Sequence, residues 1–185
     1  CWATTASEFD RLDPERDLIV LPGSKHVVAD LDWMREHELD EAVLGAIDRG
    51  VRCIGVCGGA MMLGRSITDP HGVEGGRPTH RAGLGVLDHE TVMSPTKSVA
   101  HVEVQAFGRS YSGYEIRYGA VGDVSFTTAG RVFATTVHGL FESPDFLDDL
   151  LGVRVAPVLE PTFERLADAV EQHLDTAWLR SLLSP

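Results

Sequence analysis

No stretch of the 185 residues approaches the run of about 18 apolar residues that a membrane span requires. No basic-then-apolar segment of the secretory type opens the chain either. Cationic charge is scarce: 16 Lys and Arg stand against 28 Asp and Glu, a formal net charge of −12. A nucleic-acid surface needs a basic stripe, so that class of partner is excluded. Cysteine is scarce as well, with only Cys1, Cys53 and Cys57. An odd, small number in a composition of this kind does not suggest a disulfide framework. Cys53 and Cys57 have three residues between them, not two, and the eight histidines show no Cys/His ligand spacing, so no metal is expected. Internal repeats and low-complexity linkers are also missing. What remains is the profile of an acidic, cytoplasmic protein without a membrane partner. The first residue is Cys rather than Met, which suggests a piece of a longer protein or a processed chain.

A hydrophobic content of 43% over 185 residues can fill one core but not two ordinary ones, so residues 1–185 are expected to form a single domain. Leu18-Ile-Val-Leu21 is a continuous apolar run ending at Pro22-Gly23-Ser24, the pattern of a strand buried on both faces. Helical spacing follows at Ala29–His37 and at Asp40–Arg49, with Gly50 as the stop. Arg52–Val56 is the next buried strand, and Cys57–Gly64 reads as a turn into a short helix. This strand–helix alternation predicts an open, mostly parallel α/β sheet of flavodoxin-like type, with helices on both faces. From Asp69 to Gly130 the pattern changes to short alternating stretches such as His101–Gln105 and Tyr114–Tyr118, an antiparallel excursion at the sheet's edge. Arg131–Val137 is a further buried strand that His138-Gly139 terminates, and helices at 144–151 and 162–174 close the chain.

Gly55-Val-Cys57-Gly-Gly places a nucleophile among glycines at a strand-to-helix junction. Such an elbow strains the backbone at the central residue and leaves no room for flanking side chains. It also sets the sulfur at a helix start, where free amides lower a thiol pKa and can receive an oxyanion, Gly58 N–H first. His138, at the end of a later strand, falls on the same sheet edge and could act as proton donor and acceptor, with Glu142 four residues on to orient it. A buried Cys at a tight turn and an unrelated His at a strand end explain the same residues, and the spacing alone does not choose between the two. Cys53, inside an apolar run, reads as a small core residue.

Several ordered motifs carry a resemblance that does choose. Leu21-Pro-Gly-Ser-Lys25, Ala29-Asp-Leu31, Gly55-Val-Cys-Gly-Gly-Ala-Met-Met-Leu-Gly64, Ile67-Thr-Asp-Pro-His-Gly-Val-Glu74, Gly83-Leu-Gly-Val-Leu87, Gly113-Tyr-Glu-Ile116, His138-Gly-Leu-Phe141 and Arg165-Leu-Ala-Asp168 resemble the class I glutamine amidotransferases, specifically the glutaminase domains of cobyric acid synthases. The resemblance implies Cys57 as nucleophile and His138 as base and acid. It implies Gly23 as a second oxyanion donor beside Gly58, and glutamine held by Gly23, Ser24 and Met61. It makes Glu142 an optional third member, because this branch is known for lacking a firmly placed one. The implied reaction is attack on the side-chain amide of L-glutamine, a thioester at Cys57, release of ammonia and hydrolysis to glutamate.

The resemblance also implies what lies elsewhere. Enzymes of this family join the glutaminase to an N-terminal synthetase domain that binds ATP and Mg and amidates corrin carboxylates. No Gly-x-x-x-x-Gly-Lys-Ser/Thr phosphate loop occurs in this sequence, so no cofactor is expected in the chain itself and the corrin acid is expected on the linked domain. The resemblance also implies that the family's first glutaminase strand precedes this sequence. Two departures stand out. Related enzymes usually carry Gln where this chain has Met61, and a thioether cannot donate that hydrogen bond. The His that often follows Gly-Tyr-Glu-Ile is Arg117 here. Three other readings compete: the glutaminase partner of a cell-wall precursor amidating enzyme, a cysteine peptidase or deglycase, and a catalytically weakened docking module.

Overall fold

The computed structural model describes residues 2–122, 125–152, 154, 156, 159–174 and 176–183. The chain divides into two compact units, Cys1–Gly139 and Leu140–Pro185. Among the described residues no helix is long and apolar enough to cross a membrane.

The first unit is built on a sheet ordered β1 (Leu18–Leu21), β2 (Arg52–Val56), β10 (Val132–Thr135) and β9 (Phe126–Ala129). The first three strands run parallel and β9 is antiparallel to β10. Between β1 and β2 the chain forms α1 (Val27–Glu36) and α2 (Leu39–Asp48), and after β2 it turns directly into α3 (Gly58–Leu63). Val27 and Leu31 of α1, Val43 and Ala46 of α2, and every residue of α3 are buried, joining Ile19, Leu21, Cys53 and Val132 of the sheet in one apolar core. β2 is buried through its middle, as its continuous apolar run predicts, but β1 is not buried on both faces: it is the edge strand of the sheet, and Val20 between Ile19 and Leu21 is exposed.

The region expected as an edge excursion is larger than a hairpin. β3 (Ser66–Asp69), β4 (Thr79–Ala82), β5 (Glu90–Val92) and β8 (Ala120–Val121) form a second sheet in the order β4-β3-β5-β8. β6 (Ser98–Ala106) and β7 (Arg109–Arg117) form a long antiparallel hairpin, extended by β11 (Val137–His138) into a third sheet. The architecture is therefore α/β as the sequence indicated, with fewer parallel strands and more antiparallel pairing. One boundary moved for a clear reason. The apolar run 131–137 is not one strand: β10 ends at Thr135 and β11 begins at Val137, because the chain leaves one sheet and joins another at Thr136.

The second unit contains a short 3₁₀ turn at Leu140–Glu142, then α4 (Pro144–Leu151), α5 (Leu159–His173) and α6 (Thr176–Leu183). Ser143 caps α4 by accepting from Phe146 N at 3.3 Å, and Pro144 sits in the first turn, where its missing N–H costs nothing.

At the β2–α3 junction three glycines are packed where no side chain fits. A Cβ on Gly55 would lie 2.6 Å from Leu63 Cδ1 and 2.7 Å from the Gly59 carbonyl, one on Gly58 would lie 2.7 Å from Ser24 N, and one on Gly59 would run into the Leu21 carbonyl. Gly59→Ala is therefore expected to destabilise the chain by about 1–3 kcal/mol or more through overpacking against backbone that cannot yield. Gly75→Ala, where a Cβ meets nothing within 4 Å, is expected to be near neutral. Urea midpoints of the two variants check the contrast.

Candidate active site

Cys57 links β2 to α3 with φ 51° and ψ −104°, an uncommon conformation for a residue with a side chain. Its own N–H donates to the Thr135 carbonyl at 2.7 Å, so its backbone is fixed to the neighbouring parallel strand. Gly59 N–H donates to the Pro22 carbonyl at 3.0 Å, and Met61 N–H returns to the Cys57 carbonyl at 3.1 Å. These bonds hold a turn that its intrinsic backbone preference disfavours.

The loop after β1 lies against this turn. A Cβ on Gly23 would be 3.7 Å from Cys57 Cβ, and Gly58 packs on Ser24 N. The two amides expected to receive an oxyanion thus belong to segments in direct contact around Cys57. The Gly58 N–H is already directed at the sulfur. Ser24 is less free than the sequence suggested. Its hydroxyl donates to Asp30 Oδ2 at 2.5 Å and accepts from His26 N at 2.9 Å, shaping the loop into α1.

A cavity of about 760 Å³ opens over Cys57, and Ser24, Met61, Glu74, Lys97 and Arg117 are among its walls. Met61 is almost wholly buried yet borders this cavity. Glu74 holds the rim: Oε1 accepts from Val27 N at 3.0 Å and Oε2 from Val28 N at 3.1 Å, capping the first turn of α1 from a distant loop. That loop is in turn set by Asp69, buried at the end of β3, which accepts from Val73 N at 2.9 Å and Glu74 N at 3.0 Å. Despite its burial, these backbone donors hold the Asp69 carboxyl below its ordinary range. The motif Asp69–Glu74 is thus a clamp on the loop that carries Gly23. The sequence marked the motif only as part of a resemblance.

His138 sits on β11, opposite Tyr114 of β7, and the two rings stack with centroids 5.5 Å apart and planes at 19°. Because β2 and β10 are parallel neighbours, Cys57 and His138 leave the sheet at the same end. Among the described residues no hydrogen bond joins the thiol to the imidazole; in this state the ring is held by Tyr114. Glu142 lies in the 3₁₀ turn of the second unit.

Burial dominates the electrostatics of Cys57 and pushes its thiol above its ordinary pKa. The Gly58 amide and the Arg117 guanidinium pull it down, and the Glu115 carboxylate pushes it up. The lowering expected from a helix start is therefore present but outweighed. Neither Lys97 nor the Glu115–Arg117 pair was singled out as part of the site from the sequence. Both are called by the fold, since β5–β6 and β7 reach the cavity only through sheet pairing.

The family model for the CobB/CobQ-like glutamine amidotransferase domain matches residues 3–146. The chain belongs to that family. Among curated relatives, cobyric acid synthase of Polaromonas naphthalenivorans is 36% identical, covering 99% of this chain and 42% of its own length. That of Halorhodospira halophila is 40% identical over 91% of this chain and 38% of its own length. That of Mycolicibacterium vanbaalenii is 42% identical over 87% and 36% respectively. The chain thus spans about two-fifths of the length of these relatives. A crystal structure of a glutamine amidotransferase shares the fold, with a TM-score of 0.51 and 24% identity over 74% of this chain and 79% of the other. Family membership removes the peptidase and deglycase reading.

Cys53 is fully buried, and desolvation pushes its thiol to about 12. The folded chain is expected to take iodoacetamide at Cys57 and not at Cys53. The rate at Cys57 should climb as pH rises through the alkaline range, because a raised pKa keeps the thiol protonated near neutrality. Between about 9 and 12 the unfolded chain loses the Cys53 proton while the folded chain keeps it, so stability present below that window declines across it. Peptide mapping of the alkylated protein, with and without denaturant, checks the assignment.

Proposed function

We propose that this chain is the glutaminase part of a cobyric acid synthase, hydrolysing L-glutamine and passing ammonia to a covalently linked, ATP-dependent synthetase domain. The observation that carries the reading is Cys57 itself. A cysteine held at positive φ by its neighbours, at the floor of a cavity and between two amide-bearing loops, is what covalent attack on an amide requires. The names of the relatives support the corrin branch over the cell-wall branch, and the chain's share of their length leaves room for the synthetase domain.

In this reading the Cys57 thiol gives its proton to His138 and the sulfur attacks the side-chain carbonyl carbon of glutamine. The oxyanion of the tetrahedral intermediate accepts from Gly58 N–H and Gly23 N–H. His138 returns the proton to the nitrogen as the C–N bond breaks, ammonia leaves, and a thioester remains on Cys57. Water, deprotonated by His138, hydrolyses the thioester to glutamate. The free-state stacking of His138 on Tyr114 is the resting arrangement, with hydrogen bonds tightening once substrate is bound. Glu142 serves as an optional orienter of His138. Lys97 and Arg117 bring cationic charge to the cavity and Glu74 an anionic one, complementary to a zwitterionic amino acid. ATP and Mg bind the synthetase domain, which activates the corrin carboxylates in the cytoplasm.

Cys57→Ala is expected to abolish glutamine hydrolysis and glutamine-dependent amidation, while free ammonia still supports amidation by the full-length protein. A mutant that keeps normal glutamine turnover would remove the reading. Met61→Gln tests the cavity wall. The added donor is worth on the order of 0.5–1.5 kcal/mol, so KM for glutamine is expected to fall by a few-fold to about tenfold with kcat little changed. Steady-state kinetics on the two proteins separates this from a rise in kcat of several orders of magnitude, which would identify a disabled glutaminase.

A further inference from the structure

We propose that Glu115 is a positioning residue for the reaction: its buried carboxylate fixes both the strand that bears His138 and the Arg117 guanidinium in the wall of the cavity over Cys57. This rests on the glutaminase reading above. Glu115 lies on β7, paired with Val137, and its neighbour Tyr114 pairs with and stacks on His138. It is only 5% exposed. Its Oε1 accepts from the Thr136 hydroxyl, and a further side-chain bond comes from Ser125. Its Oε2 accepts from Arg117 Nε at 3.2 Å and lies 3.1 Å from Nη2. Arg117 also donates to the Gly119 carbonyl at 2.7 Å and borders the cavity over Cys57.

Thr136 is the residue at which the chain passes from the main sheet to the small one. Thr136 N donates to the Ser125 carbonyl at 3.1 Å, and Val137 N donates back to the Thr135 hydroxyl at 3.0 Å. The Thr135 hydroxyl also donates to the Ser125 carbonyl, at 2.8 Å, so the bend that aims β11 is held on one side by Ser125 and on the other by Glu115. Gly113 completes the contact, because a Cβ there would run into the Val137 side chain and the His138 carbonyl. A buried ion pair gives little net stability on its own, since desolvation offsets its attraction. A neutral amide has a single acceptor oxygen, and its NH2 would face either Thr136 or the Arg117 guanidinium, so it cannot hold the two together. What only a carboxylate supplies is a fixed charge for Arg117, which holds that guanidinium at the cavity wall rather than free to move.

The test uses Glu115→Gln in the full-length protein, with three readouts: glutamine turnover, KM for glutamine, and alkylation of Cys57 by iodoacetamide. Misaligned His138 and Arg117 are expected to lower kcat by about tenfold to a hundredfold, with KM held within about twofold. Alkylation is expected to stay near the wild-type rate, because losing the Glu115 charge that opposes the thiolate offsets a loosened Arg117 that favours it. A fall in kcat with alkylation preserved is what general distortion of the site would not give. Turnover within about twofold of wild type overturns the proposal, as does a parallel fall of turnover and alkylation. If Glu115→Gln does not fold, Thr136→Val carries the test: kcat is expected to fall by about tenfold at constant KM, and unchanged kcat overturns the proposal. Wild-type turnover that survives Cys57→Ala instead overturns the underlying glutaminase reading, and with it this role for Glu115.

Discussion

The closeness of the β2–α3 turn to the backbone of the β1 loop governs the rest of this structure. Leu21, Ser24 and Leu63 leave no volume for a β-carbon at Gly55, Gly58 or Gly59, and the result is a turn so tight that Cys57 alone must adopt the positive φ. Strain of this kind persists only where surrounding bonds over-determine it. Here they are the Thr135 carbonyl on the nucleophile's own N–H, the Pro22 carbonyl on Gly59, and the His89 ring, which donates to the Ala60 carbonyl at 2.9 Å from beneath α3. The β1 loop and the Cys57 turn are one packed object, and their relative geometry follows from excluded volume rather than from any single strong contact.

Around that object the charges are arranged in opposition. Burial and Glu115 disfavour a thiolate; the Gly58 amide and Arg117 favour it. The balance leaves the thiol protonated near neutrality, so in the proposed reaction a proton acceptor is needed before attack. Cys53, deeper in β2, is more fully buried and has none of the opposing donors, and desolvation alone raises its thiol to about 12.

Much of this was legible in the amino-acid sequence where local geometry imposes a residue type. The elbow could be read because three glycines flanking a cysteine have one physical reason, and β1, β2, α1 and α2 because their apolar spacing is unbroken. The β6–β7 hairpin showed through its alternation. Less was legible where pairing partners are distant. The run 131–137 gives no sign that the chain changes sheets at Thr136, since apolar residues suit either sheet. Glu74 and Asp69 sit in a motif whose role is to accept backbone donors some 46 residues away in the case of Glu74. Glu115 and Arg117 alternate like any strand residues, and only the register of β7 against β11 brings them to the site. The ring of His138 was expected near the sulfur, and its stacking on Tyr114 depends on a cross-strand register that spacing does not encode.

The change of sheets at Thr136 has a mechanical side. Cys57 is anchored to the parallel sheet, whereas His138 is carried by the β6–β7 ribbon. A two-stranded ribbon twists more strongly than a broad sheet. β6 pairs with β7 along its whole length, and β7 pairs with the strand that bears His138, so the ribbon's twist sets the direction in which the imidazole is presented. The sulfur and the imidazole thus take their positions from two different sheets.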